Sequence, residues 1–297
     1  MTPMRIAPDR RLSRLTTIGV GGPAAAFAQP ESLAELEEAL GWATEREMPV
    51  VAVGLGSNLL AADAGVDALV VRLAGDLATV EIDGDLLRAG GGATNAVCLH
   101  RARSAGLGGL EFACAIPGTA GGGVRMNAGA YGSDWAAILQ RALVVSADGS
   151  GWLTPNELGL SYRHSELGPG QVVARVEYRL SPRPVDEIKR AVADLVARRK
   201  ATQPTNKRTF GSVFKNPPGE LGAGRMLESC GLKGYRIGGA VISPRHANFI
   251  ENAGEATSAD CLALMAEARR RAREQYGVEL AHEVVLLGLT VSGTEGA

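Results

Sequence analysis

Two glycine-rich segments constrain this chain more than any other feature of its sequence. The first is Gly54-Leu55-Gly56-Ser57-Asn58, which follows a short apolar run, and the second covers residues 116–132 as IPGTAGGG-VRM-NAGAYG. Glycine accounts for 39 of the 297 residues, or about 13%, whereas it accounts for about 7% of an average protein. Because glycine lets backbone amides approach a ligand closely, both segments predict backbone-lined binding loops. The alternatives are an ordinary tight turn and a pair of bulged loops without a ligand.

Composition excludes several classes of protein. The chain has 45% apolar and 21% charged residues, with 31 basic against 32 acidic side chains, which is typical of a globular protein and not of a disordered one or a general nucleic-acid binder. Four cysteines, Cys98, Cys114, Cys230 and Cys261, lack a CxxC spacing, so neither a metal site nor a disulfide framework is expected. No apolar run reaches the roughly 18 residues of a membrane span, and we expect a cytoplasmic protein without nucleic-acid or membrane partners.

The hydrophobic pattern mixes helices with antiparallel strands and predicts an α+β fold. Ser32 and Glu35 resemble a capping box at the start of a helix that ends near residue 47. Asp83-Gly84 indicates a hairpin, and no periodicity survives between residues 111 and 132. The other predicted strands cover residues 50–53, 69–73, 141–147, 172–180 and 283–289, and the other predicted helices cover residues 94–105, 225–229 and 258–276 and a segment after Pro184. Ser181-Pro182-Arg183-Pro184 is the predicted domain boundary.

The ligand can be narrowed from the residues alone. Two glycine-rich stretches with few charges suit a large planar cofactor whose phosphates are bound by amides, which favours a dinucleotide. The GxGxxA pattern from Gly19 to Ala24 does not indicate a Rossmann site, because no apolar strand precedes it and Pro23 interrupts the expected helix.

Two further features, the basic stretch before residue 211 and Glu283, each allow both a structural and a functional interpretation. A basic stretch precedes Gly-Ser-Val-Phe-Lys-Asn-Pro at 211–217 and suits an anionic substrate such as a diphosphate, although a solvated helix end explains it equally well. Glu283 interrupts an apolar strand and needs either a structural partner or a catalytic task. By contrast, Arg269, Arg270, Arg271 and Arg273 alternate with glutamates on one helix, and we expect all four to face solvent.

Eight segments, taken in order, resemble the family of UDP-N-acetylenolpyruvoylglucosamine reductases. They are residues 18–24, 53–60, 116–132, 162–165, 211–217, 231–240, 246–252 and 280–288. Each segment is a weak signal alone, but their joint order and spacing are specific and cover nearly the whole chain. The pairing of the 211–217 motif with Glu283-Val284 is the most specific part.

The resemblance implies an FAD-binding domain of the vanillyl-alcohol-oxidase/p-cresol-methylhydroxylase type over residues 1–182, in two α+β subdomains that divide near residue 75. Residues 183–297 would form a C-terminal α+β substrate-binding domain. The implied protein is a cytoplasmic, monomeric flavoenzyme of peptidoglycan precursor synthesis with non-covalent FAD. It would use NADPH to reduce UDP-N-acetylglucosamine enolpyruvate to UDP-N-acetylmuramate, and NADPH and substrate would occupy one pocket in turn.

Site residues follow from the same resemblance, motif by motif. Ser212 matches the proton donor, Arg163 of Tyr-Arg-His-Ser matches the catalytic arginine, and Glu283 matches the catalytic glutamate. The implied FAD contacts are Gly54, Gly56, Ser57, Asn58, Ile116, Pro117, Gly118, Gly122, Asn127 and Gly129. The implied substrate contacts are Lys200 and Asn216, with Lys215, Arg225 and Tyr131 as neighbours. Because residues 166–170 are too few for a tyrosine-bearing lid, the chain resembles the lidless branch, and Tyr131 and Tyr235 are candidates to contact the uridine.

The chemistry requires such groups independently. Hydride addition to one alkene carbon places negative charge on the other carbon and its carboxylate, and that charge must be stabilised where it develops. An arginine can bind this carboxylate, Glu283 could orient it, and a serine could protonate the strongly basic enolate. Two other functions are considered. An alcohol oxidase of the same flavoprotein superfamily would need a covalent histidine that is missing, and an inactive flavin-binding module would lack one of the three catalytic residues.

Overall fold

The structure is a computed structural model and describes residues 5–290. The helices are α1 (Leu33–Thr44), α2 (Asn95–Ser104), α3 (Ala120–Arg125), α4 (Val185–Thr202), α5 (Ala223–Ser229) and α6 (Ser258–Tyr276). The strands are β1 (Ile6–Ala7), β2 (Arg10–Arg11), β3 (Pro23–Ala28), β4 (Val50–Ala52), β5 (Leu59–Ala61), β6 (Val66–Val71), β7 (Val80–Asp83), β8 (Leu86–Gly90), β9 (Leu107–Gly108), β10 (Gly129–Ala130), β11 (Ser133–Asp134), β12 (Leu139–Ser146), β13 (Gly149–Leu153), β14 (Val172–Arg179), β15 (Ser181–Pro182), β16 (Thr209–Ser212), β17 (Arg236–Ile237), β18 (Ala240–Ile242), β19 (Phe249–Asn252) and β20 (Val285–Leu287). Within residues 5–290, no helix is long and apolar enough to span a membrane.

The described chain divides into two compact units. The first contains residues 5–9, 25–55 and 67–199, and the second contains residues 10–24, 56–66 and 200–290. This division differs from the single boundary predicted at residue 183. In the second unit β5 pairs in parallel with β20, and β2 pairs with the first two residues of β3. Two short N-terminal segments therefore join the C-terminal residues, and pairing over such a distance leaves no local trace in the sequence.

The first unit contains two large sheets and two small two-stranded sheets, β10-β11 and β15-β9. In one large sheet the strand order is β1-β3-β6-β4, and β4 and β6 run parallel. Leu36 and Leu40 of α1 pack on this sheet in a core with Leu69 and Val71. The other large sheet is antiparallel in the order β13-β12-β14-β8-β7, and residues of α2 and α3 share its core.

The second unit is built on the antiparallel sheet β16-β19-β18-β17. Residues of α5 and α6 pack with this sheet in one core that includes Phe210, Phe214 and Leu264. Glu283 lies before β20 and does not interrupt that strand, so the predicted start of the last strand was two residues early.

Local signals explain most of the helices. Ser32 Oγ accepts a hydrogen bond from Glu35 N (3.2 Å), and Thr257 and Asp260 form a reciprocal capping box at α6. The predicted helices at α1, α2, α4, α5 and α6 are confirmed. The segment at residues 116–132, which was predicted as a binding loop without periodicity, contains the short helix α3, and Thr119 caps its start.

Candidate active site

A narrow cleft in the first unit follows the end of β4 and the start of α3. Its volume is about 130 Å³. The lining consists of residues 52–55, 71–73 and 171–173 with Gly91, Gly92, Thr94, Thr119, Gly121, Gly122 and Arg125. Two of the predicted cofactor residues, Gly54 and Gly122, therefore lie on one cleft.

Side chains are sterically excluded at several points of this cleft. A Cβ atom would lie 2.6 Å from Thr119 Oγ1 if it were added to Gly54, and 1.9 Å from the Val173 carbonyl oxygen if it were added to Gly91. At Gly121 the distance to the same carbonyl oxygen would be 2.8 Å. At these three positions the lining consists of peptide groups alone, which suits a diphosphate.

A larger cavity of about 400 Å³ lies in the same unit and shares Leu55 and Thr94 with the cleft. Its other lining residues are Ala96, Leu99, His100, Arg103, Ala113, Cys114, Ile116, Pro117, Gly118 and Arg199. Three predicted cofactor residues, at positions 116–118, thus form part of its wall. The cavity is mainly apolar with a few cationic groups, and burial lowers the pKa of the Arg199 guanidinium. A narrow peptide-lined cleft next to an apolar cavity suits a ligand that joins a diphosphate to an aromatic ring.

Asn127 holds two loops of the first unit together. Its side chain is 2% exposed, its Nδ2 donates to the Ser161 carbonyl (2.8 Å), and its Oδ1 accepts from Ala136 N (2.9 Å). The backbone φ of +36° is one that asparagine tolerates better than most residues. The side-chain amide of this predicted cofactor residue therefore connects the segment at 127–136 to the segment that carries Arg163.

Arg163 occupies a tight turn. Ser161 and His164 exchange two backbone hydrogen bonds of 3.1 Å, and Arg163 between them has φ of +54°. Its guanidinium donates to the Gly129 carbonyl and lies 5.0 Å from the centroid of the Tyr162 ring. A Cβ atom on Gly129 would lie 3.0 Å from Arg163 Nη1, so glycine at 129 leaves room for the guanidinium.

Tyr131 carries a buried hydroxyl for which residues 5–290 supply no hydrogen-bond partner. The Arg198 guanidinium lies 5.0 Å from the centroid of its ring, and burial raises the pKa of the phenol. A buried polar atom left unpaired by the protein is one that a bound ligand or water can satisfy. This observation is compatible with the predicted ligand contact at Tyr131.

The rest of the first glycine-rich segment belongs to the second unit. Gly56 has φ of +64°, and a Cβ atom there would lie 1.9 Å from the Leu15 carbonyl oxygen. Ser57 follows, and its carbonyl oxygen is 3.3 Å from the position of a Cβ on Gly211. Asn58 Nδ2 donates to the Glu283 carbonyl (3.1 Å), and the Asn58 backbone carbonyl accepts from Val285 N (3.0 Å). Ser57 and Asn58 therefore lie against the segments that carry Ser212 and Glu283.

Ser212 and Glu283 lie on neighbouring backbone segments of the second unit. Ser212 is the last residue of β16, and the next residue, Val213, accepts at its carbonyl from Glu283 N (2.8 Å). Lys215 N donates to the Ala281 carbonyl (2.9 Å) on the same pair of segments. Two predicted catalytic residues and one predicted substrate residue are thus brought together.

The other predicted substrate residues lie on helices or at their ends. Asn216 Oδ1 accepts from Ala223 N (3.0 Å) and fixes the start of α5, on which Arg225 is exposed. Lys200 is exposed in the last turn of α4.

The prediction that four arginines of α6 face solvent was wrong for Arg269. This residue is 8% exposed, its Nε donates to the Leu280 carbonyl (3.0 Å), and its guanidinium lies 5.9 Å from the centroid of the Phe214 ring. Arg270 is half exposed and pairs with Glu267 and Glu274, as expected. The signal was available, because position 269 follows the buried Met265 by four residues, on the apolar face of the helix.

The cleft also contains residues that the sequence analysis missed. Gly90 is the last residue of β8, and Gly91 and Gly92, which follow it, line the cleft. Three consecutive glycines at the end of a strand were the signal that could have identified them.

Comparison with known proteins agrees with this geometry. Residues 24–152 match the family model of the FAD binding domain, and residues 203–287 match that of the UDP-N-acetylenolpyruvoylglucosamine reductase, C-terminal domain. The molecule is therefore a flavoprotein oxidoreductase by class, and the expected α+β fold with an FAD-binding domain of the vanillyl-alcohol-oxidase type is confirmed.

Individual relatives narrow the class. UDP-N-acetylenolpyruvoylglucosamine reductase 2 of Symbiobacterium thermophilum is 44% identical over 96% of this chain and 93% of its own length. The reductase of Anaeromyxobacter dehalogenans is 45% identical over 94% of this chain and 85% of its own length. The crystal structure of the Thermus caldophilus reductase superposes with a TM-score of 0.84 at 39% identity, covering 96% of this chain and 99% of that one. The chain belongs to the UDP-N-acetylenolpyruvoylglucosamine reductase family.

Proposed function

We propose that this protein reduces UDP-N-acetylglucosamine enolpyruvate to UDP-N-acetylmuramate with NADPH, through non-covalently bound FAD. The observation that carries the proposal is the placement of Ser212 next to the Glu283 segment in a chain that is 44% identical to a reductase over nearly its full length. This activity would place the protein in peptidoglycan precursor synthesis.

The first unit fits FAD. Its cleft excludes side chains at Gly54, Gly91 and Gly121 and suits a diphosphate, while the adjoining cavity has apolar walls that suit a ring system. Bound FAD would supply the redox chemistry, accepting a hydride from NADPH and releasing one from its N5 atom to the enolpyruvyl double bond. The ten predicted FAD contacts are retained as part of this proposal.

Arg163 is proposed to bind the carboxylate of the enolpyruvyl group. Its guanidinium is held by the Gly129 carbonyl and the Tyr162 ring, so little conformational freedom is lost when the substrate binds. A fixed cation also offsets the negative charge that develops on that carboxylate when the hydride arrives.

Ser212 is proposed to donate the proton, and Glu283 is proposed to orient the same carboxylate. The substrate gains one hydride and one proton, NADPH becomes NADP⁺, and the serine is reprotonated from solvent. A serine hydroxyl is a weak acid, but the carbanion that it protonates is strongly basic.

Substrate binding is proposed to use Lys200, Lys215, Asn216 and Arg225 for the diphosphate and Tyr131 or Tyr235 for the uridine. The cationic side chains among them suit phosphate oxygens. NADPH and the substrate are proposed to use one pocket in turn, so excess substrate should inhibit, and the protein is proposed to act as a monomer in the cytoplasm.

An anaerobic absorbance titration tests the proposal. NADPH should bleach the flavin spectrum of the purified protein, and UDP-N-acetylglucosamine enolpyruvate should restore it in proportion to the amount added. Recovery only with oxygen would indicate an oxidase instead. A colourless protein that cannot take up FAD would overturn the assignment of both glycine-rich loops.

A further inference from the structure

The backbone that carries Ser212 changes its hydrogen-bonding partner directly after that residue. Thr209 pairs with Glu251 and Ser212 with Phe249, so β16 contains one residue more than β19 over this stretch. The extra residue forms a bulge in which Gly211 has φ of +81°. Val213 N still donates to the Asn248 carbonyl, but the Val213 carbonyl and the residues after it pair with residues 281–283, through the Phe214–His282 bridge and the two hydrogen bonds that flank it.

This change of partner leaves the N–H and C=O groups of Phe214 unused in a buried place. Phe214 is 2% exposed, and buried peptide groups without partners are strongly unfavourable. The side chain of Asn248 satisfies both groups. Its Oδ1 accepts from Phe214 N (3.0 Å), and its Nδ2 donates to the Phe214 carbonyl (2.8 Å). The side-chain amide thus takes the place of a peptide group in a neighbouring strand.

Asn248 is itself held in place. Its side chain is 4% exposed, and its backbone carbonyl accepts from Val213 N (2.9 Å). Its backbone N–H donates to His246 Nδ1 (3.2 Å), and Ser243 Oγ accepts from the N–H of His246 (3.4 Å). Hydrogen bonds within the loop from Ser243 to Asn248 therefore fix the position from which Asn248 contacts Phe214.

We infer that Asn248 is a positioning residue for the reduction: by bonding both peptide groups of Phe214, it fixes the backbone that carries Ser212 against the backbone that carries Glu283. Asn248 acts through Phe214 and the residues beside it, without contacting the substrate. The inference rests on the proposed function, because it assigns Asn248 to the step in which substrate reoxidises the flavin.

Two substitutions of Asn248 test this role in the FAD-bound protein. Asn248→Ala removes both hydrogen bonds, and Asn248→Leu removes them while keeping a side chain that branches at the same atom. Anaerobic stopped-flow absorbance should show flavin reoxidation by substrate at least tenfold slower in both variants. Flavin reduction by NADPH should stay within twofold of the unchanged protein. Wild-type reoxidation in Asn248→Leu would mean that the side chain acts by packing and would overturn the inference.

Asn252→Ala is the matched control. Asn252 lies in the same unit, and its side chain also hydrogen-bonds to backbone groups, donating to Ile18 O (3.0 Å) and accepting from Gly254 N (3.0 Å) and Ala256 N (3.2 Å). We expect this variant to lose thermal stability but to keep the wild-type ratio of the two half-reaction rates. If the Asn248 variants slow both half-reactions equally, their effect is general destabilisation and the inference is wrong.

Amide hydrogen exchange provides a readout that does not depend on activity. In the unchanged protein the Phe214 amide should be protected, and in Asn248→Ala it should exchange at least tenfold faster, with no change in Asn252→Ala. Unaltered exchange at Phe214 in Asn248→Ala would overturn the inference even in an active enzyme. If exchange accelerates as expected but substrate fails to reoxidise the flavin of the unchanged protein, the proposed function fails, and the catalytic role of Asn248 fails with it.

Discussion

The proposed cofactor cleft and the backbone around Ser212 are built by opposite means. The lining of the cleft in the first unit includes glycines, and at Gly54, Gly91 and Gly121 there is no room for a Cβ atom. The Ser212 and Glu283 segments of the second unit are held by the side chains of Asn58 and Asn248. A cleft made by the absence of side chains should fail when one methyl group is added. Segments held by hydrogen bonds should instead lose activity gradually, by an amount that depends on which hydrogen bonds are removed.

Gly91→Ala should break the cleft most severely. The new Cβ would lie 1.9 Å from the Val173 carbonyl oxygen, and backbone on both sides would have to move. We expect destabilisation of about 3 kcal/mol, the upper end of the usual range for overpacking, with loss of bound FAD. Thermal unfolding and the ratio of flavin to protein absorbance measure both effects.

Gly151→Ala is the control for that substitution, because a Cβ atom at Gly151 meets no other atom within 4 Å. This variant should keep its flavin and its melting temperature. A Gly91→Ala protein that retains both would show that the cleft tolerates side chains and would contradict the steric account.

Ser212→Ala should break the chemistry and leave the structure intact. Removing one partly exposed hydroxyl should change the free energy of unfolding by no more than about 0.5 kcal/mol. Loss of a general acid should slow flavin reoxidation by substrate by about a hundredfold or more, while NADPH still reduces the flavin at its normal rate. Rapid-mixing absorbance separates the two steps, and Ser229→Ala at the exposed end of α5 should leave both unchanged. An equal loss of both half-reactions would exclude Ser212 as the proton donor.

Glu267→Gln should affect stability alone, and only moderately. Hydrogen bonds from Arg270, then from Arg271, lower the pKa of the Glu267 carboxyl to about 2. Because the folded-state pKa is depressed, the stabilisation is fully present above the ordinary glutamate pKa and is lost as pH falls toward about 2. Screening by solvent limits the benefit near neutral pH to about 1 kcal/mol.

Urea unfolding at a series of pH values measures the difference between the unchanged protein and Glu267→Gln. The difference should be largest at neutral pH and should shrink between about pH 5 and pH 2. A difference that grows on acidification would have the wrong sign for this ion pair.

The regular elements could largely be predicted from local signals. Capping residues and apolar spacing identified α1, α2 and α6, and Asp83-Gly84 identified the β7–β8 hairpin. Helix α3 escaped because three of its six residues are glycine, which has low helix propensity. Its position depends on tertiary packing, since a Cβ atom on Gly123 would lie 2.5 Å from the Trp135 ring.

The candidate site could be predicted in its residue types but not in its supporting contacts. The glycine-rich loops and Ser212 stood out because their patterns are local. Asn127 and Asn248 did not reveal their buried hydrogen bonds, because each joins segments 34 residues apart in the chain. Arg269 was wrongly predicted to face solvent, because the prediction relied on its charge and not on its position on the buried face of α6.

The sequence by itself determined the α+β class and most element boundaries, because glycines, caps and the apolar period act within a few residues of one another. It also determined the family, because the order of short motifs can be followed along the chain. Only the tertiary structure decided which peptide groups line the cleft, that residues 10–24 and 56–66 join the C-terminal unit, and that Asn248 completes the backbone beside Ser212. These are contacts between segments far apart in the chain. Their partners are selected when buried polar groups must be paired and buried space must be filled, and both conditions exist only in the folded protein.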